Sequence, residues 1–180
     1  MNKKKNNKIA AVIDIGSNML KMRVSQLKKT EIVDIDILEY PLCLGHEVFA
    51  NGKISFESLR ELSGILHGYS VIMSEYGVGQ CKVVATTALR EAMNRFYVVD
   101  QLKIQNDMTV QVLEDDQEKT LIYSEILNSI NTMENKKGEN ALISYIGAGT
   151  IGFSVSNGKR MLVSQNIPMG ALQPHDILAR

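Results

Sequence analysis

Residues 14–18, Asp14-Ile15-Gly16-Ser17-Asn18, bring a carboxylate, a glycine, a hydroxyl and an amide together between two apolar runs. Glycine lets the backbone come close to a ligand, and the amides around Ser17 and Asn18 can converge on an anion. Asp14, at the mouth of the turn, could hold Mg²⁺ or a water. The same residue types also make ordinary tight turns, so the stretch alone allows both readings. A second candidate is Thr86-Thr87-Ala88-Leu89-Arg90, where hydroxyl residues end an apolar run and open a helical pattern. Such a junction aims amides and the positive end of a helix dipole at one point, and Arg90 could add a bidentate guanidinium. Its plainer counterpart is a capped helix with a surface Arg90–Glu91 pair. A third cluster, Glu114, Asp115, Asp116 and Glu118, stands where a helix begins, and helix capping alone can account for it.

The elements that must hold these residues follow from periodicity. Ile9 to Ile13 is apolar, and from Met19 to Gln26 the residues Leu20, Met22 and Val24 alternate with Lys21, Arg23 and Ser25. That period of two predicts an antiparallel hairpin around the turn. Glu31 to Tyr40 predicts a third strand of a meander, with Asp34 and Asp36 together on the solvent face of an edge strand, in preference to a metal pair. Leu42 to Asn51 reads as loop, with His46 a surface residue. Ser55 caps a helix in which Leu59, Leu62, Leu66, Tyr69 and Met73 step by three and four to Tyr76, stopped by Gly77; Gly64 and Gly68 suggest close packing. Cys81 to Ala85 is a strand, Asn94 caps a helix to about Gln105, and Met108 to Leu113 returns as a strand. A helix over about Asp116 to Met133 would bury Leu121, Ile122, Ile126, Ile130 and Met133.

A shift of 131 positions lays Asn140 to Asn157 over the first hairpin: Ile15-Gly16 falls on Ile146-Gly147, and Leu20, Met22 and Val24 fall on Ile151, Phe153 and Val155. Two matching glycine-turned hairpins predict an internal duplication with a ligand between its halves. Glu134 to Asn140 is polar and aperiodic and reads as a linker. A tight Ser156-Asn157-Gly158-Lys159 turn, a strand Met161 to Gln165 and a helix opening at Pro174 to Arg180 complete the chain.

With 44% hydrophobic residues, 180 residues can bury a core. Twenty basic and twenty acidic side chains cancel, which gives no reason to expect nucleic acid or an anionic membrane surface as partner. Cys43 and Cys81 fit no metal-ligand spacing and read as buried, reduced thiols of a cytoplasmic protein. The basic lead-in is followed by an apolar run that reaches Asp14 within six residues, too short for a signal peptide or a membrane span.

The segments AVIDIGSN (residues 11–18 with Ile15-Gly16 at the turn), VVATTALREAMN (Val83 to Asn94) and the second glycine hairpin resemble the exopolyphosphatase and guanosine pentaphosphate phosphatase family, Ppx/GppA, from about Lys8 to Ala171. The resemblance implies an α/β fold of the actin and sugar-kinase (ribonuclease H-like) type, a mixed sheet flanked by helices. On this reading residues 1–133 form one complete domain, 134–140 a linker, and 141–180 the beginning of a second domain. It also implies removal of terminal phosphate from polyphosphate or guanosine pentaphosphate with Mg²⁺. By position, phosphate contacts fall to Gly16, Ser17, Asn18, Lys21, Thr86, Arg90, Gly147, Gly149 and Thr150, and metal or water to Asp14. Glu91 and Asn94 complete the central motif. A homodimer is compatible with this reading.

Two stretches depart from the family pattern. Where the family has Ser-Gly-x-Glu-Glu-Ala-Arg, with one glutamate the proposed general base, this chain puts Gln117 and Glu118 on the two glutamates, leaving Glu118 as the candidate base. Where the family has Asp-Ile-Gly-Gly-Gly-Ser-Thr-Glu, this chain reads Tyr145 to Gly152, and both carboxylates are gone. A glutamine cannot take a proton, and loss of a general base costs on the order of 10² to 10⁴ in rate. Two functions therefore stand side by side: a Mg²⁺-dependent phosphohydrolase, and a catalytically degenerate module that binds polyphosphate or a guanosine polyphosphate. An ATP-using kinase is disfavoured by the ATTALREAMN segment.

Overall fold

The computed structural model describes residues 8–29, 31–132, 140–147, 149–157, 160–167 and 170–171. The basic lead-in, the expected linker except Asn140, and the helix expected from Pro174 lie outside the described residues. Two compact units divide the chain, Met1–Leu113 and Glu114–Arg180.

In the first unit β1 (Lys8–Ile15) and β2 (Met19–Lys28) pair antiparallel, with Ile15 opposite Leu20 across the turn. β3 (Glu31–Pro41) adds antiparallel to β2. Then follow α1 (Leu44–Asn51), α2 (Phe56–Tyr76), β4 (Gln80–Ala85), α3 (Thr87–Glu91), α4 (Arg95–Asn106) and β5 (Val110–Val112). The sheet order is β3-β2-β1-β4-β5, with β4 parallel to β1 and β5 parallel to β4.

Alternation sends Ile13, Ile15, Leu20, Met22 and Val24 to one face, where none is more than 1% exposed. They share a core with Leu59, Leu62, Leu66 and Tyr69 of α2, and the Tyr69 hydroxyl donates to the Leu20 carbonyl at 3.2 Å. Each such side chain stabilises the fold by roughly 1.5–3 kcal/mol on burial. Ser55 caps α2 by accepting from the Ser58 amide at 3.1 Å, and Gly77, with φ 65°, ends it, both as the sequence predicts.

Several local expectations are corrected. Leu42 to Asn51 is not all loop: Leu44 and Val48, four apart, are buried on one side of α1, which Gly52 ends at φ 74°. The first-turn acid and the helix-poor glycine, histidine and asparagine hide that single apolar step in the sequence. Asp34 and Asp36 do not share a face, because a bulge at Ile35 sets Asp36 against Val24 and Asp34 against Ser25. Asp36 turns toward the helices and accepts from the Tyr76 hydroxyl at 2.9 Å, whereas Asp34 accepts from the Ser25 hydroxyl at 2.8 Å. Asn94 precedes α4 but does not cap it; its side chain accepts from the Ile54 amide at 3.0 Å and donates to the Ile54 carbonyl at 2.8 Å. A Cβ at Gly64 or Gly68 would meet nothing within 4 Å, so neither glycine serves close packing. Both cysteines are exposed rather than buried.

The second unit holds α5 (Asp115–Thr132) and an antiparallel meander of β6 (Ala141–Ile146), β7 (Ile151–Ser156) and β8 (Met161–Ile167) in that order. Ile146 faces Ile151 as Ile15 faces Leu20. The turn bond is repeated too: Gly16 N donates to Met19 O at 3.1 Å and Gly147 N to Thr150 O at 2.7 Å. The duplication read from the sequence is therefore present in backbone geometry. α5 lies on this sheet through Tyr123, whose ring meets that of Tyr145 edge-on at 5.9 Å and whose hydroxyl accepts from Ser164 Oγ at 3.2 Å. Tyr123, absent from the predicted buried face, is buried, while Leu121 is 60% exposed.

Candidate functional site

The parallel register fixes where the first candidate residues emerge. Ile15 aligns with Ala85 and Ala85 with Val112, so the Gly16 turn, Thr86 and Leu113 leave the sheet side by side at the carboxyl ends of three strands. Ligands of open α/β sheets gather beyond that edge. Two backbone bonds knit it: Thr86 N to Ile15 O at 3.3 Å and Leu113 N to Ala85 O at 2.8 Å.

The turn itself is tight and preorganised. A Cβ at Gly16 would stand 2.8 Å from the Met19 carbonyl oxygen, so only glycine closes it. The Ser17 carbonyl accepts from Gly45 N at 2.7 Å and the Asn18 carbonyl from Leu42 N at 3.0 Å, which fixes the turn from behind. Leu44-Gly45 thus has a definite role as a buttress at the start of α1. The Ser17 side chain is 5% exposed and its hydroxyl has no hydrogen-bond partner among the described residues. A buried hydroxyl left in that state costs about 1–3 kcal/mol, which a ligand oxygen or a water at the turn would recover. Asn18 is exposed beside it.

Asp14 is half-buried and stands opposite Lys21 in the β1–β2 register. Lys21 in turn lies 2.7 Å from the Glu39 carboxylate on β3, so part of its charge is already balanced. Arg90 is turned into the fold: its side chain is 9% exposed, and its two terminal nitrogens donate to the Leu113 carbonyl at 2.8 Å and to Thr87 Oγ1 at 3.2 Å. Its Nε lies 3.6 Å from Glu91. The guanidinium expected to clamp a phosphate thus ties α3 to the end of β5. Thr86 makes no side-chain cap, and α3 is five residues long, too short for a dipole that would focus an anion.

In the second unit Gln117 has a structural task. Its Oε1 accepts from the Glu114 amide at 3.1 Å, the returning half of a capping box at the start of α5. Glu118, the next residue, is half-buried. Lys119 is held by Asp115, and that bond raises it above the ordinary lysine value of 10.5.

Tyr145 faces Gly152 in the register of the second hairpin, as Asp14 faces Lys21 in the first. The ring lies across the glycine: a Cβ at Gly152 would fall 2.6 Å from Tyr145 Cδ1 and 2.8 Å from Cζ. The Tyr145 hydroxyl accepts from Asn166 Nδ2 at 3.1 Å. Gly147 and Thr150 close the turn, Gly149 is buried within it, and Ala171 N donates to the Gly147 carbonyl at 2.9 Å. The Tyr145–Gly152 coupling is invisible in a one-dimensional reading, but the signal existed as an aromatic and a glycine equidistant from the turn.

Among the described residues no three of His, Cys, Asp and Glu gather closely enough to hold a metal ion. The first turn offers Asp14, and the equivalent positions of the second offer a phenol and a glycine. Among the described residues no helix is long and apolar enough to cross a membrane.

The model of the Ppx/GppA phosphatase family matches residues 24–172. A bifunctional 3-dehydroquinate synthase/phosphatase of Fusobacterium nucleatum is 24% identical over 93% of this chain and 26% of its own length. The structure of an Aquifex aeolicus member of the Ppx/GppA family superposes with a TM-score of 0.75 at 24% identity, over 91% of this chain and 52% of that one. An exopolyphosphatase from Cytophaga hutchinsonii gives a TM-score of 0.82 at 21% identity, over 92% of this chain and 52% of that one. The chain spans about half the length of these solved relatives and about a quarter of the curated one. At this level of identity the structural likeness shows the fold, a mixed sheet flanked by helices of the actin-like type.

Proposed function

Because the chain belongs to the Ppx/GppA phosphatase family, we propose that it binds the terminal phosphates of a polyphosphate-type ligand, inorganic polyphosphate or guanosine pentaphosphate, with hydrolysis largely lost. The observation that carries this reading is the Tyr145–Gly152 pair, in which an aromatic ring fills the space that a side chain on residue 152 would need. The pair replaces, together, both carboxylates that the family pattern has in the second hairpin.

Binding falls to the first turn. Gly16 brings the backbone to the ligand, the Ser17 hydroxyl donates to a phosphate oxygen, and Asn18 supplies exposed polar groups at the rim. Thr86 stands beside them at the same strand edge. Arg90 acts as a positioning residue, keeping Thr87 and the end of β5 in place. Asp14 orients a water; beside phosphate its charge is unfavourable unless a cation arrives with the ligand. Any Mg²⁺ would come as the counter-ion of the phosphate oxygens.

A second reading, a slow phosphohydrolase with Glu118 as general base, is favoured by one observation: Glu118 directly follows the capping Gln117 and is half-buried on α5.

Phosphate release from polyphosphate and from guanosine pentaphosphate, with and without Mg²⁺, is to be measured beside calorimetric binding. Saturable binding that Ser17→Ala weakens, with little release, is expected. The triple change Tyr145→Asp, Gly152→Glu and Gln117→Glu should then raise release more than binding, because the added groups act on water and not on ligand contacts. Turnover by the natural chain at an ordinary enzyme rate of roughly 1 to 10³ per second would defeat the binding reading. Loss of a lower rate in Glu118→Gln would establish the hydrolase reading.

A further inference from the structure

A cleft of about 740 Å³ opens in the first unit between α1 and the first turns of α2 and α4. It shares no lining residue with the turn at Gly16 or with residues 86–90. Sites of roughly 300–1,000 Å³ hold small molecules. The wall between the helices is fixed, because Asn94 bonds both the amide and the carbonyl of Ile54 and Met93 N donates to the Gly52 carbonyl at 2.9 Å. Two aromatic rings line the cleft, Phe56, 75% exposed, and Tyr97, 45% exposed, edge-on to each other with centroids 5.9 Å apart.

Two opposite charges line the same space without meeting. Glu47 accepts the Ser55 amide on Oε1 at 2.9 Å, while its Oε2 is buried and has no hydrogen-bond partner among the described residues. Buried polar atoms ordinarily have such a partner. The terminal torsion of a glutamate is broad, so Oε2 can turn to a donor that enters the cleft while Ser55 N keeps one oxygen. Lys53 is exposed on the same lining and makes no ion pair among the described residues. With Asn94 committed to Ile54, the first-turn amides of α4 have no side-chain cap. We propose that this cleft binds a small zwitterion of the α-amino acid class with a large apolar or aromatic side chain. Its ammonium donates to Glu47, its carboxylate meets Lys53 and the uncapped amides of α4, and its side chain packs on Phe56 and Tyr97. A ligand with one charge alone would satisfy one of the two side chains and face the other unbalanced.

L-Phenylalanine is the probe, titrated into the isotope-labelled full chain and followed by the amide resonances of Ser55, Phe56 and Tyr97, which should shift saturably. 2-Phenylethylamine, which lacks the carboxylate, and 3-phenylpropionate, which lacks the ammonium, should each bind roughly tenfold or more weakly, the worth of a charge-assisted hydrogen bond. Glu47→Gln retains an oxygen for Ser55 N; it should weaken phenylalanine and phenylethylamine and spare phenylpropionate. Lys53→Met should weaken phenylalanine and phenylpropionate and spare phenylethylamine. Loss of structure alone would affect all three compounds together. Absence of saturable shifts at these amides overturns the proposal. So does equal binding of the three compounds, or an affinity for phenylalanine that neither Glu47→Gln nor Lys53→Met alters.

Discussion

Gly152→Ala should destabilise the second unit, against the usual sign. An alanine in the interior of a strand is ordinarily better than glycine by roughly 0.5–1 kcal/mol, because glycine loses more backbone freedom on folding. Here the added Cβ would lie 2.6 and 2.8 Å from Tyr145 Cδ1 and Cζ, inside any real carbon–carbon contact. The ring cannot simply swing aside, since Tyr123 holds one edge at 5.9 Å between centroids and Asn166 bonds its hydroxyl. Overpacking of this kind costs typically 1–3 kcal/mol. The background Tyr145→Ala removes the obstacle, and there Gly152→Ala should be neutral or mildly stabilising, a coupling of about 1–3 kcal/mol between the sites. Hydrogen exchange of the β6 and β7 amides in the full chain reads the second unit alone. Opening should rise roughly 5- to 150-fold in the single Gly152→Ala variant and not in the double variant. A Gly152→Ala penalty of equal size with and without the ring would refute the steric coupling, and with it the argument that the two carboxylate positions were lost as a pair.

Two further outcomes follow from the first unit. Arg90→Lys should lower its stability by about 2 kcal/mol, read by urea denaturation, because an ammonium cannot serve both the Leu113 carbonyl and Thr87 from a side chain that is 9% exposed; an unchanged midpoint would show that those bonds hold nothing. At the end of α4, the Lys103 bond holds the Asp107 carboxyl below its ordinary value of 3.8. A lowered folded value means that the contribution is present above that ordinary value and lost as pH falls through the folded one. Protection of the last α4 amides should therefore fall only below about pH 4, and Asp107→Asn should remove that dependence; a loss beginning near pH 6 would point to another group.

Strong, local patterns were legible in the sequence. The period of two in β2 and the stripe from Leu59 to Tyr69 each had a single geometric solution, and the 131-residue repeat carried the second hairpin with it. The turn at Gly16 was legible because glycine there is a steric requirement. What escaped depends on partners distant in the chain. α1 rests on one apolar step between Leu44 and Val48 and on the space that the fold leaves for it. The bulge that separates Asp34 from Asp36 comes from pairing with β2, which alternation along β3 alone does not encode. Arg90 was expected to fork onto a phosphate; that it also donates to the Leu113 carbonyl, 23 residues on in the backbone, was not legible. Asn94 likewise bonds Ile54, 40 residues earlier, instead of its own helix.

The opposite burial of the two hairpins gives a physical reason for their unequal chemistry. Position 14 lies on the face of the first sheet away from α2, opposite Lys21 in the β1–β2 register. Its counterpart, position 145, lies on the face that α5 covers, with Tyr123 against it. A carboxylate under that ring would lose hydration and would have to be paired to be tolerated. A tyrosine meets the same place at less expense, because its ring packs, and its hydroxyl finds Asn166. Lys119, held by Asp115 on α5, is a cation within electrostatic reach of Tyr145. It follows that Tyr145→Asp should be tolerated with Lys119 present and should lose stability in Lys119→Met, whereas the natural tyrosine should be far less sensitive to that change. The phenol at position 145 thus suits the face that the helix covers, and packing as well as chemistry bears on the loss of catalysis proposed for this chain.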